Sequence, residues 1–212
     1  IYFIADAMRT FYLDGIREIT PAYRKKMFVC HLGSYKAFSV MNKTEPHLFN
    51  ICTCSRMIPL KRLEVLANAL ADWNKGKIRW THIGDGPLMD ELREKAQTIM
   101  SKNPLVEIVF KGFVPNKEVE LYYASNPVDI FINLSTIEGL PISIMEAISY
   151  GIPIIATDVG GTKEIVCKEV GMLLPQNITT QLVLKSIEDF YLRPQNEQQQ
   201  MRSSAYNYWK SN

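Results

Sequence analysis

The sequence predicts an α/β fold, a Rossmann-like parallel sheet with helices on both faces. Three observations point to it. From about residue 47, short apolar runs alternate with helical patterns, the order that builds strand–helix–strand crossovers. The runs are short and mainly apolar, which suits strands covered on both faces. Loops carrying glycine or charge follow several of them, and the carboxyl ends of such strands are where these sheets bind ligands.

The elements follow in order. Ile4–Leu13 has an amphipathic helical pattern that ends near Gly15, Met27–Leu32 reads as a strand, and Gly33 to Pro46 reads mostly as loop. The first 46 residues therefore do not join the alternation cleanly. The parallel strands, about six, are Leu48–Cys54, Ile78–Ile83, Val106–Phe110, Val128–Leu134, Pro153–Ala156 and Met172–Leu174. Among the helices, Leu60–Trp73 places Leu63, Leu66, Ala67 and Leu70 on one face, and Leu88–Met100 does the same with Leu92, Ala96 and Ile99. Lys117–Ala124 and Ser143–Tyr150 read as shorter helices, and Thr180–Tyr191 takes Thr179 as its N-cap. Gln195–Trp209 reads as a terminal helix or a tail.

Composition narrows the function classes. Of 212 residues 47% are hydrophobic and 22% charged, as in an ordinary globular protein. The net charge of +2 gives no sequence-wide attraction to nucleic acid or an anionic membrane. No apolar run approaches the roughly 20 residues of a membrane helix. The chain starts at Ile1 without an initiator Met or a signal segment and reads as a piece of something longer. Cys30, Cys52, Cys54 and Cys167 lack the spacing of a zinc site and read as buried or half-buried reduced thiols. His31, His47 and His82 build no metal or triad spacing, despite Glu45 and Asp85 nearby, and read as packing or surface residues. Asn42, Asn133 and Asn177 begin glycosylation triplets that no secretory signal supports.

Four loops carry candidate chemistry. In Ser55–Lys61, Arg56 and Lys61 are five apart and suit convergence on one anion such as a diphosphate, next to a helix amino end. Ile83-Gly84-Asp85-Gly86-Pro87 allows a tight turn and close backbone approach, without the three-glycine dinucleotide fingerprint. In the third loop, Glu138 precedes a helix that Pro141 is placed to start, and Glu146 lies in that helix's second turn. Two carboxylates at different heights can hold different hydroxyl groups of one extended ligand. Glu146 sits among Ile144, Met145, Ala147 and Ile148, so its burial implies a partner. The fourth loop, Asp158-Val159-Gly160-Gly161-Thr162-Lys163-Glu164, offers a flexible backbone with hydroxyl and amide donors. Taken singly, each loop is also compatible with turn chemistry or solvated charges.

Together the loops resemble the carboxyl-terminal donor-binding domain of a family 4 retaining glycosyltransferase, a type built from two Rossmann-like domains (GT-B). The likeness rests on Glu138 and Glu146 at the Glu-x7-Glu spacing, on Gly139-Leu140-Pro141 and on the pair Arg56 and Lys61. It also rests on Gly84–Pro87, Lys111-Gly112-Phe113-Val114 and Gly160–Glu164. It spans roughly residues 47 to 191. The resemblance implies that Glu146 binds the nucleotide ribose and Glu138 the donor sugar. Arg56 and Lys61 would offset charge on the departing diphosphate, with backbone amides at Gly139 and Leu140 assisting. The base would lie near Val114, with Gly84 also in the nucleotide site. No metal or other cofactor is implied, and no Asp-x-Asp is present. Where the family usually has Gly after the lysine, this chain has Arg62.

The resemblance divides the chain into residues 1–26, a remnant of an amino-terminal domain or a linker, 27–192, the nucleotide-sugar domain, and 193–212, the terminal helix or tail. Ala5-Asp6-Ala7-Met8-Arg9 resembles the last helix of the acceptor-binding domain, which is otherwise absent. The implied partners are a nucleotide-sugar, that amino-terminal domain and a saccharide or lipid-linked acceptor, with no nucleic acid. The implied location is cytoplasmic, with peripheral association of the longer protein at the inner face of the membrane. Without the acceptor domain this chain is expected to transfer no sugar. A nucleotide-sugar epimerase of similar architecture and a non-catalytic partner-binding module are the alternatives.

Overall fold

The computed structural model describes residues 2–16, 20–30, 33, 34, 36, 38 and 48–211. His31, His47, Glu45, Asn42 and most of the loop expected between Gly33 and Pro46 lie outside the described residues.

Six parallel strands form one sheet: β3 (Leu48–Cys54), β4 (Lys77–Ile83), β5 (Val106–Phe110), β6 (Ile130–Asn133), β7 (Ile154–Thr157) and β8 (Gly171–Leu174). Their spatial order is β5-β4-β3-β6-β7-β8. The chain therefore builds outward from β3 in one direction, then returns to β3 and builds outward in the other. The change of direction lies between β3 and β6.

Helices cover both faces because alternate strand residues point opposite ways. One face carries Ile51 and Ile78 under α3 (Leu63–Ala71), α4 (Met89–Lys102) and α7 (Thr180–Tyr191), through Leu66, Leu70, Leu92, Ile187 and Phe190. The other carries Cys52 and Phe131 under α5 (Asn116–Ser125), α6 (Ile142–Ser149) and α8 (Gln195–Ser211), through Tyr123, Ile144, Ile148 and Ala205. All of β7 is buried, as its unbroken apolar run requires. Thr179 caps α7 by accepting the Leu182 N–H at 3.2 Å.

One predicted helix is broken. Leu60–Trp73 does not run through: a 3₁₀ turn at Pro59–Lys61 ends at Arg62, and α3 starts at Leu63. Arg62 is left-handed (φ 48°, ψ 38°), the one non-glycine residue with positive φ among the described residues. A side chain in that conformation costs roughly 1–2 kcal/mol, so contacts elsewhere must hold it.

The first segment forms its own small unit. β1 (Tyr2–Phe3) pairs in parallel with β2 (Phe28–Val29), and α1 (Asp6–Asp14) and α2 (Pro21–Arg24) lie between them in sequence. α1 buries no residue, and its amino end is capped by Glu164, which accepts from Asp6 N and Ala7 N at 2.9 Å each. The strand expected over Met27–Leu32 is only Phe28–Val29 within the described residues. At the other end the helix alternative holds. α8 docks through buried Ala205, through Arg202 Nη2 to the Val128 carbonyl at 2.6 Å and through the Tyr208 hydroxyl to the Glu164 carbonyl at 2.8 Å. Cys52 is buried and Cys54 and Cys167 half-buried, but Cys30 is exposed beyond β2, contrary to expectation. No helix among the described residues is long and apolar enough to cross a membrane.

Candidate functional site

The loops leaving β3 and β6 face each other where the sheet changes direction. Such a switch point opens a crevice at the carboxyl ends of the strands. The loop after β3 is fixed by backbone bonds to its neighbours, Ser55 N to Ile83 O at 3.0 Å and Met57 N to Asp85 O at 2.9 Å. The Met57 side chain is fully buried between them, while Arg56 is exposed and engages no ion pair or hydrogen bond through its side chain among the described residues. Gly84 makes this contact possible. At φ 137° its missing Cβ would stand 1.9 Å from the Ser55 carbonyl oxygen, so the sequence-predicted close approach is to protein backbone.

Lys61 and Glu138 meet across the switch point. Lys61 Nζ lies 2.6 Å from Glu138 Oε1, with the side chains 22% and 12% exposed. The same oxygen accepts from Ser135 Oγ at 2.6 Å and Asn133 Nδ2 at 3.1 Å. Lys61 thus spends one of its three N–H donors inside the protein. Arg56 and Lys61, expected to act as a pair, differ: one is free and one is engaged. Asn133, whose glycosylation triplet had no supporting signal, has its amide committed to Glu138.

The fourth loop supports the third. The missing Cβ of Gly160 (φ 54°) would lie 1.8 Å from the Glu138 carbonyl oxygen, and Gly161 N donates to Gly139 O at 2.8 Å. The N–H groups of Gly139 and Leu140 donate no hydrogen bond among the described residues, just ahead of α6. Two glycines expected to serve a ligand therefore hold the Glu138 loop in place.

Glu146 points from the second turn of α6 into a buried setting. Its partner is Asn116, at the start of α5, whose Nδ2 lies 2.6 Å from Oε1. Burial raises the Glu146 pKa, the Asn116 bond lowers it in part, and the charge of nearby Glu120 raises it again. Burial also pushes the neighbouring Cys54 thiol up to about 12, with Glu146 adding to the shift. Val114 is half-buried just before α5, in the loop that Gly84 N ties down through Gly112 O at 2.9 Å. Behind the crevice His82 is buried, with Nδ1 2.8 Å from Thr53 Oγ1, which accepts from Trp80 Nε1 at 2.8 Å. Burial pushes the His82 pKa down to about 4. The described residues hold no group of three or more potential metal-ligating His, Cys, Asp or Glu side chains.

Residues 40–208 match the family of glycosyl transferases group 1. The chain belongs to this family. Among relatives, it is 31% identical over 108 residues to the alpha-monoglucosyldiacylglycerol synthase of Streptococcus pneumoniae, covering 50% of this chain and 23% of that protein. It is 31% identical over 158 residues to an uncharacterised glycosyltransferase of Haemophilus influenzae, covering 73% of this chain and 36% of that one. Among solved structures, Anabaena Alr3699/HepE in complex with UDP and glucose superposes with a TM-score of 0.76 at 22% identity, over 99% of this chain and 58% of that one. WaaG, a glycosyltransferase of lipopolysaccharide biosynthesis, gives 0.78 at 13% identity over 100% and 58%. The chain thus spans less than two thirds of the length of these relatives, and its sheet matches one Rossmann-like half of a GT-B fold.

Some residues of the candidate site were not expected from sequence. Asn116 follows Val114-Pro115 and looks like an ordinary helix start, although Glu146 called for a partner. Ser135 and Asn133 sit within five residues of Glu138 and could have been read as its donors. Arg62 stood out only as a departure from the usual glycine.

Proposed function

We propose that this chain is the carboxyl-terminal, nucleotide-sugar-binding half of a retaining glycosyltransferase that moves a sugar from a nucleoside diphosphate to a saccharide or lipid-linked acceptor. The observation that carries the reading is the Lys61–Glu138 pair at the switch point between β3 and β6, with Glu146 buried in the second turn of α6. Lys61 retains two N–H donors for diphosphate oxygens, and exposed Arg56 adds a second cation. Together they offset charge that develops as the diphosphate leaves. Glu138 meets the sugar hydroxyls. Glu146 takes the ribose hydroxyls, which supply the donors that its buried carboxylate lacks. The free amides of Gly139 and Leu140 face the diphosphate, and the base lies by Val114 and Gly84. The acceptor hydroxyl attacks from the face the diphosphate leaves. The sugar–phosphate C–O bond breaks, the acceptor C–O bond forms, and the acceptor proton passes to the departing phosphate. No metal takes part.

The acceptor half belongs to the amino-terminal part of a longer protein. A two-stranded parallel sheet is rarely stable alone, and Tyr2 of β1 and Phe11 of α1 are 76% and 83% exposed. These features support residues 2–29 as the margin of a further sheet. The longer protein would act in the cytoplasm, at the membrane where the acceptor is lipid-linked.

Calorimetry with UDP and with GDP, each in the presence of a chelator, tests the site. Binding of at least one is expected, and binding of neither would overturn the nucleotide reading. A radiolabelled-sugar transfer assay should show no turnover by this chain alone. Robust transfer would place the acceptor site within these residues.

A further inference from the structure

We propose that Arg62 is a positioning residue that presets the Lys61–Glu138 pair by clamping the loops that carry it, an inference that rests on the nucleotide-site reading above.

Three of the five guanidinium N–H donors are engaged within the protein. Nε donates to the Leu134 carbonyl at 2.5 Å, Nη2 to the Ser135 carbonyl at 2.8 Å and Nη1 to the Gln176 carbonyl at 2.8 Å. One planar fork thus joins the turn after β3 to the loop after β6 and to the loop between β8 and α7. All three nitrogens donate to carbonyl oxygens, so the fork is committed to joining these loops.

Both partners of the pair hang from this residue. The left-handed backbone of Arg62 ends the 3₁₀ turn and so sets the direction in which Lys61, its immediate neighbour, leaves the chain. Its side chain fixes the Ser135 carbonyl, while Ser135 Oγ bonds the Glu138 carboxylate at 2.6 Å. A parallel backbone bond, Thr136 N to Leu60 O at 2.9 Å, ties the same two loops. Glycine would take the left-handed turn without strain but would leave the three carbonyls unclamped. Arginine accepts the strain and supplies the clamp, which removes the need to order these loops when a nucleotide arrives.

Arg62→Gly tests this, since it keeps the turn and deletes the fork. Arg62→Lys is the second variant, keeping the charge but only one donor group. The expected result for Arg62→Gly is a near-unchanged Tm with nucleoside diphosphate affinity lowered about tenfold, as expected for a modest displacement of a binding group. Arg62→Lys should fall between. In a Lys61→Met background the same Arg62→Gly change should cost little further affinity, because the pair it positions is already gone. Without nucleotide, amide hydrogen exchange at Ser135 and Thr136 should speed up in Arg62→Gly while β3 amides keep their protection. Unchanged affinity, full additivity with Lys61→Met, or unchanged exchange at Ser135 and Thr136 would overturn the proposal. If the wild-type chain binds neither UDP nor GDP, the nucleotide reading fails by itself, and the exchange measurement still decides the clamp.

Discussion

Glu138 and Glu146 lie on the same loop-and-helix segment, yet the fold holds them in opposite ways. Glu138 meets an ammonium, a hydroxyl and an amide on a single oxygen at the rim of the crevice. Glu146 is buried and has Asn116 as its hydrogen-bond donor, with the Glu120 charge nearby. The difference matches the separate roles proposed for the two carboxylates. One oxygen of the rim carboxylate, Oε1, takes three donors within the protein, which holds the side chain in place. The deeper one is short of donors, and a vicinal diol is the kind of group that completes it.

The comparison can be read only while the fold is intact, and His82 sets that limit. Its folded pKa of about 4 lies below its ordinary 6.5. The neutral form therefore contributes stability that is present above about 6.5 and is lost as pH falls toward 4. The shift corresponds to about 3 kcal/mol. Thermal melts between pH 7 and pH 4 should show this loss, and His82→Gln should flatten it. A wild-type Tm that does not change across the window would contradict the assignment.

Breaking the rim site comes next. Lys61→Met removes a charge-assisted bond worth about 2 kcal/mol, so nucleoside diphosphate affinity should fall roughly 30-fold. Calorimetry at fixed ionic strength measures it, and an affinity within twofold of wild type would detach Lys61 from the diphosphate.

The deep site should respond less and with the opposite pH sign. The raised Glu146 pKa means that its contribution to stability is present at low pH and lost as pH rises through the folded value. Glu146→Gln should therefore leave the free protein as stable as before or slightly more so near neutrality. It should also weaken nucleotide binding about tenfold, roughly 1.4 kcal/mol. Wild-type affinity should decline as acid protonates Glu146, and the variant's should not. Equal pH profiles would remove the ribose role.

The smallest effect is expected for Asn116→Ala, about 1 kcal/mol in affinity. Because the Asn116 bond holds the Glu146 pKa down, the variant should need a higher pH to reach full binding. Comparing the two affinity–pH curves checks it, and curves that coincide would show that Asn116 does not tune Glu146.

Most of the sheet was legible because burial on both faces leaves a plain trace. Val106–Phe110 and Thr180–Tyr191 match their expected bounds, and the six runs give the six strands. The placement of Glu138 at the carboxyl edge was legible for the same reason, since it follows the strand ending at Asn133. Less visible was anything set by contact between loops distant in sequence. The Lys61–Glu138 contact joins residues 77 apart, and the three carbonyls that hold Arg62 lie 72 to 114 residues away. A left-handed arginine has no local signature, because local preference argues against it. Nor did periodicity reveal that Gly84 and Gly160 admit protein carbonyls. Glycine states only that something comes close.

The capping of α1 by Glu164 has a mechanical consequence. Its carboxylate grips the first two amides of α1 with both oxygens, and its own carbonyl holds the Tyr208 hydroxyl of α8. Three residues earlier, Gly161 lies against Gly139, and its missing Cβ would stand 2.8 Å from Ala5 Cβ. Glu164 is therefore a fulcrum shared by the first helix, the last helix and the loop that bears Glu138. Displacing Asp6 or Ala7 would break a bond to that carboxylate. The first helix, the last helix and the loop that bears Glu138 thus meet in one residue's neighbourhood.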